Sequence, residues 1–197
     1  VKSQPKPFCT ANLLQTANNT LQMSPKETMS LCQQLYQNGY ITYMRTESIM
    51  YSKDFVDKIN KFIIEGYDSN YLGDTKKLIN TNSENPHEAI RVTVVEQKTI
   101  PNCKNSRMNT LYKLIWKNTI QSCMTDAEYK TFQLKITAPE TLYYQYTTET
   151  CVFKGWQEVD WKDTSTYFEF LQTIKEGNIN YKKITSKQTI KDKKTHY

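Results

Sequence analysis

An α+β chain is the expectation here, and three observations lead to it. Apolar side chains recur at helical spacing in four stretches before about residue 124, and beyond Thr125 the period changes to alternation. The third is size: 197 residues can bury a core of their own, while five cysteines with no CxxC pair offer no zinc staple. This gives a mostly helical part over 7–124, a strand-rich part over 125–197, and a connecting segment over 1–6.

The elements follow in order. The spacing of Leu13, Leu14, Ala17 and Leu21 predicts a first helix with Thr10 as its cap. Ser24-Pro25-Lys26-Glu27 predicts the start of a second: a capping hydroxyl, a proline at the first helical position and a glutamate three residues after the cap. Thr28, Leu31, Cys32, Leu35 and Tyr36 form its inner stripe, and Asn38-Gly39 stops it. A third helix begins at Ser52, with Phe55, Val56, Ile59, Phe62 and Ile63 inward and Gly66 as terminator. From Tyr67 to Pro86 the composition is polar and aperiodic, which predicts an exposed loop. Met108, Leu111, Tyr112, Ile115 and Cys123 predict a fourth helix over Ser106 to Met124. Phe132, Leu134 and Ile136, then Leu142, Tyr144 and Tyr146, alternate as strands do, and Ile179 with Tyr181 suggests another after Gly177-Asn178.

Composition narrows the function only a little. Twenty-six basic against 20 acidic side chains leave a formal +6, which permits nucleic-acid binding without requiring it. The odd, scattered cysteines read as free thiols in a reducing interior, so an intracellular setting, cytoplasmic or nucleoid-associated, is expected. No apolar run approaches membrane-spanning length, and no membrane partner is expected. There is no Gly-rich phosphate loop, so ATP use is not indicated.

Chemistry concentrates in Gly39 to Ser48, GYITYMRTES. A phenol, Tyr43, stands two residues from a guanidinium, Arg45, among hydroxyls at Thr42, Thr46 and Ser48. An unperturbed phenol, with a pKa near ~10, is a weak nucleophile at neutral pH. An adjacent Arg can favour its ionised form and clamp a phosphate through paired N–H donors, which suggests covalent chemistry on a phosphodiester. Further on, His87-Glu88-Ala89-Ile90-Arg91 places an imidazole and a second guanidinium four apart. On a helical turn both would face one phosphate-sized target.

GYITYMRTES closely resembles the active-site tyrosine motif of type IA DNA topoisomerases. HEAIR at 87–91 resembles that family's second signature, and Pro7-Phe8-Cys9-Thr10 leading to Leu14-Gln15 looks like the start of its tyrosine-bearing domain. The resemblance implies Tyr43 as nucleophile, Arg45 on the scissile phosphate and His87 in the catalytic network, with Arg91, Gln33, Glu47 and Thr46 near DNA. Met44 favours the bacterial topoisomerase I type. Glu47 stands where Asp is usual, and Val92 where proline is common; neither removes a reactive group.

The family's activity, as implied, is transient cleavage of one DNA strand through a 5′-phosphotyrosyl ester, strand passage and resealing, relaxing negative supercoils without ATP. Its partner is a single-stranded segment of negatively supercoiled duplex; a monomer is expected, though the sequence leaves the oligomeric state open. It also uses Mg2+ held by an Asp-x-Asp cluster on a separate domain. This sequence does not spell that cluster, so the chain resembles a central piece: a tyrosine-bearing helical lid with hinges near Ser3–Pro7 and Met124–Asp126, and part of a β-rich arch. A tyrosine recombinase would place its tyrosine after the Arg and His residues, the reverse of the order here. The remaining alternative is a module that binds single-stranded DNA or protein without chemistry.

Overall fold

The computed structural model describes residues 1–81, 87–138, 140–162, 168–174 and 177. Helix α1 runs from Thr10 to Leu21 and buries Leu13 and Ala17. Its cap is Cys9, one residue earlier than expected, with the Cys9 amide donating to Asn12 Oδ1 at 2.7 Å. The displacement has a cause: the Thr10 hydroxyl is engaged by another loop, as described below.

Helix α2, Pro25–Gln37, starts where the sequence indicates, with Ser24 Oγ accepting from the Glu27 amide at 3.2 Å. Thr28, Leu31, Cys32 and Leu35 face inward, whereas Tyr36 is exposed and turns out toward Tyr43. Gly39, at φ +73°, ends the helix. Its amide donates to the Tyr36 carbonyl and the Tyr40 amide to the Leu35 carbonyl, both at 2.9 Å, which is the crossed pair of a Schellman turn. The helix is thereby closed firmly, and the chain leaves it in a fixed direction.

Helix α3, Lys53–Gly66, buries Phe55, Val56, Ile59 and Ile63. The next stretch is more ordered than its composition suggests. Ser69–Tyr71 and Thr75–Leu78 form 3-10 turns, Thr75 is buried, and Ile79 bridges Tyr51 in parallel. Polar side chains such as Asp68, which accepts from the Asn70 amide at 3.1 Å, spend their bonding capacity on these turns. Helix α4, Ser106–Gln121, is capped by Asn105 and ends at Ser122 rather than Met124. Cys123 and Met124 are nonetheless buried.

Strands β1, Glu128–Thr137, and β2, Tyr143–Phe153, pair antiparallel from Glu128 opposite Phe153 to Thr137 opposite Tyr143. Leu142 lies just outside β2, and Tyr144 and Tyr146 are exposed. The short helix α5, Phe168–Gln172, covers part of the hairpin by setting Phe168 against Phe132 with ring centroids 6.4 Å apart. The strand expected at Ile179 and Tyr181 lies outside the described residues. The architecture is α+β: helices around one core, followed by an antiparallel hairpin.

Three extended pieces cross that core. Phe8 bridges Ile90 and Ile41 bridges Val92, and all four side chains are buried. Burial at this level is worth roughly 1.5–3 kcal/mol for each large aliphatic side chain. The segments before Tyr43, around His87 and ahead of α1 are thus tied into one rigid unit. HEAIR is one of these extended pieces, not the helical turn expected, because its apolar Ala89 and Ile90 are drawn into bridges with the neighbouring segments.

Candidate active site

The loop carrying Tyr43 is positioned by hydroxyls. Thr42 Oγ1 donates to the Ala89 carbonyl at 2.8 Å and accepts from the Arg91 amide at 3.0 Å, while the Thr42 amide donates to the Arg91 carbonyl at 2.9 Å. Thr93 Oγ1 donates to the Gly39 carbonyl at 2.7 Å. On the far side of Tyr43, Thr10 Oγ1 lies 2.9 Å from the Met44 carbonyl and 3.0 Å from that of Thr46, and accepts from the Thr46 amide at 2.9 Å. The Thr10 amide also donates to the Thr46 carbonyl at 2.9 Å. Both flanks of the tyrosine are therefore fixed, one to 89–93 and the other to the start of α1.

Met44 is buried at 1% exposure, whereas Tyr43 keeps 38% of its surface. The phenol is not sealed in the interior. Its ring meets Tyr36 edge-on at 5.4 Å and lies nearly parallel to His87 at 5.8 Å, with 29° between planes. His87 in turn lines an open pocket of about 480 Å³ with Arg45, Glu47, Thr46 and Thr10. Arg45 is exposed and has no ion-pair partner among the described residues. A guanidinium with its donors open to solvent, an imidazole and an adjoining phenol form a place for a phosphate-sized anion. The Glu47 carboxylate on the same rim sets a limit on that attraction, since it repels an anion unless a cation stands between them.

Arg91 is placed elsewhere. Its Nε donates to Glu88 Oε2 at 2.6 Å, its Nη1 to the Val92 carbonyl at 3.1 Å, and its guanidinium lies 3.9 Å from the Phe55 ring centroid on α3. Burial pushes the Glu88 carboxyl up, but the Arg91 hydrogen bond and charge, with bonds from Ser52, outweigh it and hold the group below its usual value. With side-chain exposures of 13% for Arg91 and 22% for Glu88, this is a braced pair under the loop. Thr46, 5% exposed, accepts from the Ser48 amide through its Oγ1 at 3.0 Å. Gln33 is half-buried on α2, one turn before Tyr36.

Sequence reasoning missed Thr10 as a clamp, having seen only a helix cap; hydroxyl bonds across 34 residues leave no periodic signal. Three tyrosines near the motif, Tyr36, Tyr40 and Tyr51, could stack on a base if exposed; Tyr51 is wholly buried and bonded to Ser122, and Tyr40 packs on Tyr112. Tyr36 alone of the three is exposed. No three His, Cys, Asp or Glu side chains among the described residues stand close enough to hold a metal ion. None of the described helices is long and apolar enough to cross a membrane.

The family model described as DNA topoisomerase matches residues 1–197. The chain belongs to that DNA topoisomerase family. It is 36% identical over 189 residues to DNA topoisomerase 1 of Buchnera aphidicola subsp. Acyrthosiphon pisum, covering 93% of this chain and 22% of that protein. A prokaryotic-type DNA topoisomerase 1 of Acanthamoeba polyphaga mimivirus is 37% identical over 170 residues, covering 80% of this chain and 20% of the relative. The fold is similar to part of full-length topoisomerase I from Thermotoga maritima, with a TM-score of 0.71 and 29% identity over 90% of this chain and 30% of that one. The chain thus spans about a fifth of the length of the curated topoisomerases it matches.

Proposed function

We propose that this chain is the nucleophile-bearing part of a type IA DNA topoisomerase, and that Tyr43 is the residue that becomes joined to DNA. The observation that carries the reading is the exposed Tyr43 phenol, parallel to a His87 ring that opens onto the Arg45 pocket. The Tyr43 oxygen attacks a phosphodiester of one DNA strand. The phenol gives up its proton as an O–P bond to the 5′ phosphate forms and the bond to the 3′ oxygen breaks, and that oxygen takes a proton and leaves as a hydroxyl. The ester keeps the energy of the original bond, so reversal of the attack reseals the strand without ATP.

Arg45 offers paired N–H donors to the phosphate and counters the charge that grows on its oxygens in the transition state. His87 lies between phenol and pocket, in a position to hydrogen-bond the phosphate or to carry a proton. Glu47 and Gln33 flank the path of the strand. Thr46 and Arg91 serve the same loop from beneath, the first through its bond to Ser48 and the second through Glu88 and Phe55. Magnesium, in this reading, is held by carboxylates elsewhere in the parent polypeptide, and this chain contributes the nucleophile instead of the metal site. Family membership favours this enzyme over a binding module without chemistry.

The decisive experiment combines the chain with the separately produced remainder of its parent protein, magnesium and 3′-end-labelled single-stranded DNA. A labelled protein adduct that survives denaturation is expected, and Tyr43→Phe should abolish it. An undiminished adduct in the Phe variant would remove Tyr43 from the mechanism.

A further inference from the structure

A second pocket, of about 250 Å³, lies between α4 and the turn that follows the hairpin, and it shares no residue with the Tyr43 pocket. Its walls include the flat rings of Tyr129, Trp156 and Trp161, with Lys117, Lys162 and Asp160 among them. Its size is below the range for drug-sized ligands, so it suits a single ring system. Charge gives the second constraint. Three ammonium groups, those of Lys117, Lys162 and Lys98, act on one carboxylate, Asp160, and hold it below its usual range. The local excess is positive.

Lys117 pairs with Asp160, but the two side chains are 36% and 49% exposed, and such pairs contribute little in water. An incoming phosphate can take Lys117 from Asp160 at small cost. The indoles differ in how firmly they are held. Trp156 is anchored, its Nε1 donating to the Lys2 carbonyl at 3.0 Å and its amide to that of Thr125 at 2.9 Å. Trp161 is half-buried, with Lys154 Nζ 5.3 Å from its ring centroid. A flat ring that stacks on an indole while its attached phosphate meets lysines is the chemistry of a nucleotide.

We infer that this pocket is an accessory site for one unpaired nucleotide of a single DNA strand, stacked on Trp161 with its phosphate on Lys117 and Lys162. The inference rests on the DNA-acting reading above but not on Tyr43 as nucleophile, so the two can fail separately. The test titrates the 197-residue chain with a short 5′-phosphorylated oligothymidylate, reading tryptophan fluorescence and anisotropy. Quenching that weakens with added salt is expected. Trp161→Ala should lower affinity roughly five-fold or more, in line with the usual worth of one stacked base. Lys162→Glu, an exposed change that leaves the packing intact, should weaken binding and flatten the salt dependence.

Unchanged binding and quenching in both pocket variants would overturn the site, whether or not Tyr43 forms its adduct. Equal quenching by inorganic phosphate alone would also overturn it, since no base is then being read. Survival of the adduct in Tyr43→Phe, or its absence with the parent chain, together with intact pocket binding would overturn the catalytic reading and leave this site standing.

Discussion

Thr10 is a single hydroxyl at the first turn of α1, yet it touches the backbone on both sides of Arg45. Thr10→Val keeps the shape and leaves the Thr46 amide without its partner, an omission that costs about 1–3 kcal/mol in buried settings. A lower urea midpoint, restored by Thr10→Ser, is expected; a Val variant as stable as the parent would remove the clamp from the account. Glu88 gives a pH signature. Its carboxyl is held below the usual value, so the stability it lends is present at neutral pH and drains away as pH falls through the folded-state pKa, below about 4.5. Unfolding midpoints of Glu88→Gln should be flatter across that acid window than those of the parent. A parallel decline in both would show that other carboxylates carry the acid sensitivity. Neither role was legible in the sequence. A hydroxyl looks the same whether it caps its own helix or a loop 34 residues away, and HEAIR as a string does not reveal that Arg91 will lie over Phe55.

Helices were the most legible elements, because their signals are local. Ser24-Pro25 and Asn38-Gly39 bracket α2, and the inward stripe of α3 differs from expectation only in Phe62, which is half-buried. The same inner faces make a prediction about thiols. Cys32 on α2 and Cys123 after α4 are buried, and burial pushes each thiol up to about 12. Cys9, Cys103 and Cys151 are partly accessible. Alkylation of the native chain near neutral pH, followed by mass mapping, should modify the last three and spare the first two until denaturant is added. Rapid labelling of Cys32 would contradict the packing of α2 against the core. Elements without period were hard to read. The stretch after α3 looks like loop because its polar residues satisfy turns, and its bridge from Ile79 to Tyr51 spans 28 positions with no sequence mark.

Across the whole molecule, the amino-terminal segment and the connection from α4 to the hairpin run side by side. Lys2 and Ala127 exchange both backbone bonds, at 2.8 and 2.9 Å, Gln4 donates to Asp126, and Thr125 is held by Tyr71 and Trp156. Gly155, at φ +50°, lies so close to the Asp126 carbonyl that any Cβ would overlap it. Gly155→Ala should therefore loosen this junction while the Tyr43 pocket keeps its form. Limited proteolysis is expected to cut the variant near 126 and 155 sooner than the parent, and equal cleavage would count against the close approach. What the sequence by itself determined was chemistry and local order: a phenol beside a guanidinium, the helix stops, the change of period at Thr125, and a ten-residue motif specific enough to indicate its family. The tertiary structure alone decided which groups share a pocket. Bridges from Phe8 to Ile90 and from Ile41 to Val92 bring Thr10, Tyr43 and His87 together and turn Arg91 away, since burying four apolar side chains outweighs the local preference of any one segment.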